Sequence, residues 1–265
     1  MNENTNFIKQ SLYSSKENLK ILTGTISAME IEQEGNKKVN CAIVYYGNIK
    51  VLIPLQEMNI QQDRKYLRNM IGAEIDFIVL EISEISNIAV ASRKRAMEIK
   101  QKIEFKKHYE GDRVQAKVIS MGIKHIKVNC LGIDVNLRID DLAYGYIQDV
   151  NEFYSIGDSI DVKIMDIDKE NYTLKVSVKE LIEDPYTNIR IYFTEGGEYI
   201  GTITGFAPNG VYIKLKQGVD AVAIIPIWMN KSPNINDKVT VRIHEIDEKK
   251  RKIYCSLIRI IRTVK

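Results

Sequence analysis

Apolar and polar residues alternate along several stretches of the 265-residue chain. The clearest stretch is 157–181, where apolar residues occupy every second position from Ile160 to Ile164 and again from Leu174 to Val178. This is the period of a strand with one buried face. The polar residues 168–171 lie between the two runs and are typical of a turn. The stretch therefore predicts a β-hairpin.

The same order of strand, charged turn and strand occurs twice more, at 71–92 and at 236–257. The three stretches start roughly eighty residues apart, and a fixed period of this kind indicates an internal repeat. We therefore predict three copies of one β-rich unit.

The hairpins carry a recurring motif. In the second repeat, Gly157-Asp158 opens an alternating strand, Ile167-Asp168 leads into the charged turn, and the returning strand ends near Ser177. This order resembles the carboxyl-terminal half of a domain of the S1 RNA-binding family, which includes bacterial ribosomal protein S1. The opening position holds Gly72-Ala73 in the first repeat and Asn236-Asp237 in the third.

The upstream halves of the repeats also resemble the family. Residues 23–26, 111–118 and 197–204 look like its first strand, and residues 205–213 look like its turn into the second strand. The resemblance covers nearly the whole chain from about Leu19 onward, with three copies in register.

The resemblance implies an all-β chain of three tandem OB-fold barrels, each a five-stranded Greek key, joined by short helical linkers. It divides the chain into a polar N-terminal tail at 1–18, a degenerate S1-like domain at 19–95, a basic helical linker at 96–108, and S1-like domains at 109–182 and 183–265. The tail is expected to be mobile or a loose helix.

The connector between the first two repeats is rich in cations. Ala96, Ile99 and Ile103 are spaced for one apolar stripe of a helix. The other faces carry a basic patch, for which we single out Arg93, Lys94, Arg95, Lys106 and Lys107. A solvated helix between domains and a helix that touches the RNA backbone both fit this composition.

Net charge and cysteine content restrict the function only weakly. A net charge of +3 permits a nucleic-acid partner but does not require one. Cys41, Cys130 and Cys255 each lie in a strand-like run, which favours buried free thiols in a reducing compartment over metal ligands. The N-terminus does not resemble a secretory signal, and no apolar stretch reaches membrane-spanning length. We expect a cytoplasmic protein without a membrane partner.

The family binds RNA through two aromatic positions on its second strand, a His at the end of its third, and an Asp and a basic residue around the last hairpin. In the third repeat the resemblance places these positions on Asn209, Tyr212, Pro226, Asp247 and Lys252. Phe206 lies just before the turn and could flank the same face. Exposed rings stack on bases at about 1 to 3 kcal/mol each, and cations neutralise phosphates.

In the second repeat the same positions fall on Lys124, Lys127, Arg138, Asp168 and Thr173, so charge replaces stacking. His125 and Tyr172 lie close by in sequence.

The first repeat lacks the family's binding residues. It has Val39, Ala42 and Pro54 at the corresponding positions, and nothing in its last hairpin matches the Asp or the basic residue.

Each assignment has an alternative. Tyr212 and Phe206 also fit packing in a barrel, and Asp168 and Asp247 fit turn formation. Lys124 and Lys127 are three residues apart, so strict alternation along a strand would place them on opposite faces.

The sequence carries no P-loop, zinc-protease, C-x-x-C or G-x-S-x-G motif. From this absence we expect a non-catalytic protein without cofactor or metal. The resemblance to the S1 family implies a protein, expected to be a monomer, that binds single-stranded RNA, either mRNA or rRNA, and acts in translation or RNA handling. The small ribosomal subunit is a further candidate partner. The main alternative is a ribosome- or protein-docking scaffold with little RNA affinity. A nuclease is the enzymatic alternative, but the repeats leave no room for a catalytic domain.

Overall fold

The computed structural model describes residues 2–34, 37–60, 64–83, 85–145, 147, 149–207, 210–226 and 232–262. The chain forms two compact units. The first comprises residues 1–141 and 148–181 and contains the first two repeats, and the second comprises residues 142–147 and 182–265 and contains the third.

Each repeat is a five-stranded, mostly antiparallel sheet. The first is a closed barrel in the order β1-β2-β3-β5-β4. Its strands are β1 (Leu22–Glu34), β2 (Lys37–Tyr46), β3 (Ile49–Pro54), β4 (Glu74–Ser83) and β5 (Ile88–Ser92). The pair β3–β5 is parallel and closes the barrel.

The second repeat has the same strand sequence, hydrogen-bonded in the order β10-β9-β6-β7-β8. Its strands are β6 (Arg113–Met121), β7 (His125–Cys130), β8 (Ile133–Arg138), β9 (Ser159–Asp168) and β10 (Thr173–Ser177). The third repeat is again a closed barrel, made of β11 (Glu198–Ala207), β12 (Gly210–Lys216), β13 (Val219–Ile224), β14 (Lys238–Asp247) and β15 (Lys252–Arg262). The expected tandem OB-fold architecture is confirmed.

The apolar positions of the alternating pattern form the cores of the three sheets, of which the first and third close into barrels. In the hairpin β9–β10, Val162, Ile164 and Val176 are buried while most of their neighbours are not. In the third repeat Ile253, Cys255 and Leu257 point into the core in the same way. Removing this apolar surface from water is the main term that stabilises such small barrels.

The motif that opens each hairpin is a left-handed turn. Gly72, Gly157 and Asn236 have φ values of 92°, 95° and 70°, a region that favours Gly and tolerates Asn. In the second repeat the amide of Gly157 donates to the carbonyl of Val118, and the amide of Val118 donates to the carbonyl of Asp158, both at 2.8 Å. The same pair of hydrogen bonds recurs in the other two repeats. The turn therefore holds the hairpin against the first strand of its own repeat.

The polar N-terminal segment forms α1 (Asn2–Asn18). Leu12 is buried in the core of the first barrel, and the hydroxyl of Ser15 accepts a hydrogen bond from the amide of Val79 at 3.0 Å. That amide lies at a register shift between β4 and β5, where Ser15 supplies it with an acceptor. The segment is therefore a packed helix and not a mobile tail.

The basic connector forms α3 (Arg93–Lys107). Ser92 caps its N-terminus, since the Ser92 hydroxyl accepts a hydrogen bond from the amide of Arg95. The buried residues of this helix are Arg93, Ala96, Met97 and Phe105. The predicted stripe is therefore only partly right, because Ile103 is 47% exposed while Phe105 packs edge-on against Tyr172.

The remaining α-helices of the described residues are short. They are α2 (Arg64–Arg68) in the first repeat, α4 (Ile139–Leu142) after β8, and α5 (Ile189–Tyr192) before β11. No helix in the described part of the chain is long and apolar enough to cross a membrane.

Candidate nucleic-acid interface

The third repeat presents Tyr212 on the outside of its barrel. The residue is 42% exposed, and its strand neighbours Val211 and Ile213 are buried in the core. Tyr212 pairs with Gly205 on β11 and with Val222 on β13, and a side chain at Gly205 would contact the Tyr212 ring. The alternative that Tyr212 is a core residue is therefore wrong.

A second ring belongs to the same row of the barrel surface. Val222 pairs in parallel with Tyr254 on β15, so the register Tyr212–Val222–Tyr254 crosses three neighbouring strands. Residues directly opposite each other in paired strands share a face of the sheet. Sequence reasoning missed Tyr254, although it stands two positions after Lys252 in an alternating strand.

Cations flank this row. Lys252 precedes Tyr254 by two residues on β15, and Lys214 follows Tyr212 by two residues on β12, and both are exposed. On the other side of the row His244 lies at a register shift in β14, with its Nε2 atom 2.8 Å from the Ser256 hydroxyl. The outer face thus combines two rings with cations at strand spacing.

Phe206 is 56% exposed and is not a core residue. It pairs with Val211, whose side chain points into the barrel, whereas the neighbouring Gly205 pairs with Tyr212. The register therefore does not place Phe206 beside Tyr212. Asn209, the other predicted aromatic position, lies outside the described residues.

The second repeat brings several of its predicted residues together on β7 and β8. His125 pairs with Arg138, and Lys127 pairs with Asn136. The alternating Ile126, Val128 and Leu137 are buried, so the four polar residues share the outer face. His125 and Arg138 are exposed.

Lys124 is not part of the strand but of the turn before β7, and it is exposed. Strand alternation therefore does not force Lys124 and Lys127 onto opposite faces, since the two residues do not lie on one regular strand. Two hydrogen bonds hold this turn. The carbonyl of Ile123 accepts from the amide of Val150, and the carbonyl of Gly122 accepts from the side-chain amide of Asn151.

The helical turn Val150–Glu152 is followed by Phe153, which is 60% exposed. The sequence analysis did not single out Phe153, because no motif connects this residue to the turn that carries Lys124.

The far end of the same face is covered. Asn129 donates to Asp134 at 2.8 Å, and Asp134 receives two hydrogen bonds from Arg93. Arg93 is 1% exposed, so it does not belong to an open basic patch. Lys94, Arg95, Lys106 and Lys107 are exposed on α3, and Lys107 pairs with Glu104 at 2.9 Å.

The described residues of the first repeat offer no comparable face. Cys41, Ala42, Ile43 and Val44 are all buried, so β2 is covered on both sides. Its cation Lys50 lies 2.7 Å from Glu30 and 2.9 Å from Glu32, and the hydrogen bonds to these carboxylates raise the pKa of Lys50. Tyr45 is 56% exposed, but its partner across the sheet is this neutralised lysine.

Asp168 and Asp247 shape the hairpin turns. Asp168 accepts hydrogen bonds from the side chain and amide of Asn171 and from the amide of Glu170, and these lower its pKa. Asp247 accepts from the amide of Lys250, with the same effect on its pKa. Both residues act as turn formers in this structure, as their alternative assignment predicted.

The cysteines are buried free thiols. Burial raises the pKa of Cys130 and of Cys255 to about 12, which keeps both protonated at neutral pH. Among the described residues, no group of three or more His, Cys, Asp or Glu side chains is arranged to hold a metal ion.

Comparison with known families gives a match for the second repeat. Residues 107–179 match the family described as S1 RNA binding domain. The second repeat belongs to the S1 domain family. The strands β6 to β10 of this S1 domain carry the His125–Arg138 face described above.

Relatives that match most of the chain include ribosomal proteins and a clostridial enzyme. The chain is 28% identical over 194 residues to small ribosomal subunit protein bS1 of Pseudomonas aeruginosa, covering 69% of this chain and 35% of the relative. It is 26% identical over 258 residues to bS1 of Neisseria meningitidis, covering 92% and 44%. It is 28% identical over 228 residues to 4-hydroxy-3-methylbut-2-enyl diphosphate reductase of Clostridium acetobutylicum, covering 81% and 35%. The chain thus spans less than half the length of each of these relatives.

Proposed function

We propose that this chain binds single-stranded RNA without catalysis, through the outer faces of its second and third repeats. The observation that carries the proposal is the Tyr212–Val222–Tyr254 row flanked by Lys214 and Lys252. Rings stack on bases of any sequence, and cations beside them neutralise the backbone. The face of the S1 domain, with His125 and Arg138, adds a polar and cationic surface that suits phosphates.

This binding and the similarity to bS1 proteins support a role of the chain in translation or RNA handling in the cytoplasm. The RNA would be mRNA or rRNA, and the small ribosomal subunit is a candidate partner. The enzymatic name of the clostridial relative does not transfer, because the alignment leaves most of that reductase unmatched.

The test is a titration of an unstructured RNA and of the matching duplex at several salt concentrations. We expect the single strand to bind more tightly than the duplex. The logarithm of its binding constant should fall linearly with the logarithm of the salt concentration. Equal affinity for both forms, or a flat salt dependence, would contradict it. No measurable affinity for either would favour the docking scaffold.

A further inference from the structure

The S1 domain in the second repeat receives an aromatic ring from the first repeat. The ammonium nitrogen of Lys127 lies 4.7 Å from the centre of the Tyr66 ring, within the range of a cation–π contact. Lys127 is on the outer face of β7, next to the His125–Arg138 pair. Tyr66 belongs to α2, outside the 107–179 segment that matches the family. The contact therefore joins the two repeats at the face singled out for RNA.

The position of the ring is set by the core of the first barrel. Leu67, the next residue in α2, is fully buried in that core, and Met70 is buried just after the helix. The two repeats are also held together elsewhere, since Ile119 of β6 packs into the same core and Lys117 pairs with Glu74. Tyr66 is thus a half-buried ring on a fixed support, and not a freely moving side chain.

We propose that the first repeat completes the RNA site of the second, with Tyr66 as a positioning residue that holds the Lys127 ammonium for a backbone phosphate of single-stranded RNA. A lysine side chain loses rotamer freedom when it binds a phosphate. A ring that already orders the side chain reduces this loss. An ammonium group has three N–H donors, so a ring on one side leaves donors for phosphate oxygens on the other. This inference rests on the proposed function.

The experiment is a double-mutant cycle on the full chain with an unstructured RNA oligonucleotide. Lys127→Met should weaken binding and lower the salt slope by about 0.7, the value for one phosphate contact on a single strand. Tyr66→Leu should weaken binding roughly two- to fivefold, the size of an exposed cation–π contact. Because the lysine charge remains in Tyr66→Leu, its salt slope should stay near that of the parent.

The coupling between the two changes decides the proposal. In the Lys127→Met background, Tyr66→Leu should have no further effect on affinity, whereas additive losses would show that the ring does not act through the lysine and would overturn it. Tyr66→Phe keeps the ring and should bind like the parent, and an unaltered affinity of Tyr66→Leu would also overturn the proposal. Urea unfolding of each variant, with parent-like midpoints expected for Tyr66→Phe, separates lost binding from lost folding.

Two results tell this inference apart from the proposed function. If the parent binds no RNA, the proposed function fails and the inference fails with it. If the parent binds and Arg138→Ala weakens it while Tyr66→Leu does not, only the inference fails.

Discussion

Arg93 and Asp134 form a buried, two-point ion pair between the helix α3 and the strand β8. The two guanidinium nitrogens of Arg93 lie 2.7 and 3.0 Å from the carboxylate oxygens of Asp134. The nitrogen that lies 3.0 Å from Asp134 also donates to the carbonyl of Met58 in the first repeat, at 2.9 Å. One side chain of the connector helix therefore contacts both the first repeat and the second repeat.

Asp134→Ala should destabilise the first unit by about 3 to 5 kcal/mol, because it leaves a buried guanidinium without its counter-charge. Urea unfolding monitored by far-UV circular dichroism measures the change. Asp161→Ala is the matched control, since it breaks the Arg113–Asp161 pair, whose side chains are 67% and 39% exposed. That control should change stability little. Equal effects of the two substitutions would contradict the structural role given to Arg93.

The same ion pair predicts how proteases treat the connector. A solvated basic helix would be nicked by trypsin at its exposed cations, of which Lys94 and Arg95 come first. A docked helix must open locally before it is cut. We expect no preferred tryptic cleavage at 93–107 in the parent chain and accelerated cleavage there in Asp134→Ala. Rapid cleavage of the parent in this segment would show that α3 is not docked in solution.

Gly157→Ala should destabilise the second repeat by about 1 to 2 kcal/mol, because its φ of 95° disfavours any residue with a Cβ atom. The added methyl would also lie 3.3 Å from the carbonyl oxygen of Gly72. Gly111→Ala is the control for crowding, since its φ of 91° is similar but nothing lies within 4 Å of the added atom. Thermal unfolding should rank Gly157→Ala below Gly111→Ala and both below the parent. A parent-like Gly157→Ala would refute the turn geometry.

The strands and the repeat could be predicted because alternation is a local property. The burial of Val162, Ile164, Leu174 and Val176 follows from alternation with neighbours a few residues away, so the sequence assigned them to the correct face. Arg93 was assigned to an exposed patch because its partner Asp134 is 41 residues away in sequence, and no local pattern predicts a pairing over that separation. A charge in a basic run is normally solvated, so only the tertiary structure distinguishes Arg93 from Lys94.

Only part of the candidate site could be predicted from the sequence. Tyr212 and Lys252 were placed by resemblance to the family, one residue at a time. Tyr254 joins Tyr212 only through the parallel pairing of β13 with β15, and Tyr66 reaches Lys127 only through the packing of two repeats. Both rings belong to ordinary stretches of sequence, so their proximity to the site depends on topology and not on any motif.

The thiols of Cys130 and Cys255 should resist modification in the folded chain. An unperturbed thiol has a pKa of about 8.5, and burial raises both groups to about 12. A raised thiol pKa means that the folded state retains the proton, so this contribution to stability is complete below about pH 8.5 and is lost as the pH rises toward 12. At pH 8, Ellman's reagent should react slowly with the native chain and fully in urea. Rapid reaction of both thiols in the native chain would refute their burial.

Lys124 and Arg138 should contribute charge and no stacking. Changing both to Ala is expected to weaken binding to all single-stranded sequences and to reduce the salt slope by about 1.4, which is two phosphate contacts at about 0.7 each. Changing Lys94 and Arg95 on α3 to Ala is the comparison, because it removes the same charge from the basic patch outside the β7–β8 face, where the connector helix was the other candidate for RNA contact. A salt slope that falls equally in both double variants would indicate non-specific attraction and not a site on the second repeat.

The central claim, that an exposed ring on the third repeat stacks on RNA bases, is tested most directly by the RNA affinity of Tyr212→Ala beside that of Tyr45→Ala. Both residues are exposed tyrosines on the second strand of their barrels, but Tyr45 faces the neutralised Lys50 of the first repeat. Tyr212→Ala should lose about 1 to 3 kcal/mol of binding free energy with its salt slope unchanged, and Tyr45→Ala should bind like the parent. If Tyr212→Ala keeps its full RNA affinity, or if the two variants lose the same amount, the third repeat does not bind RNA by stacking on this face.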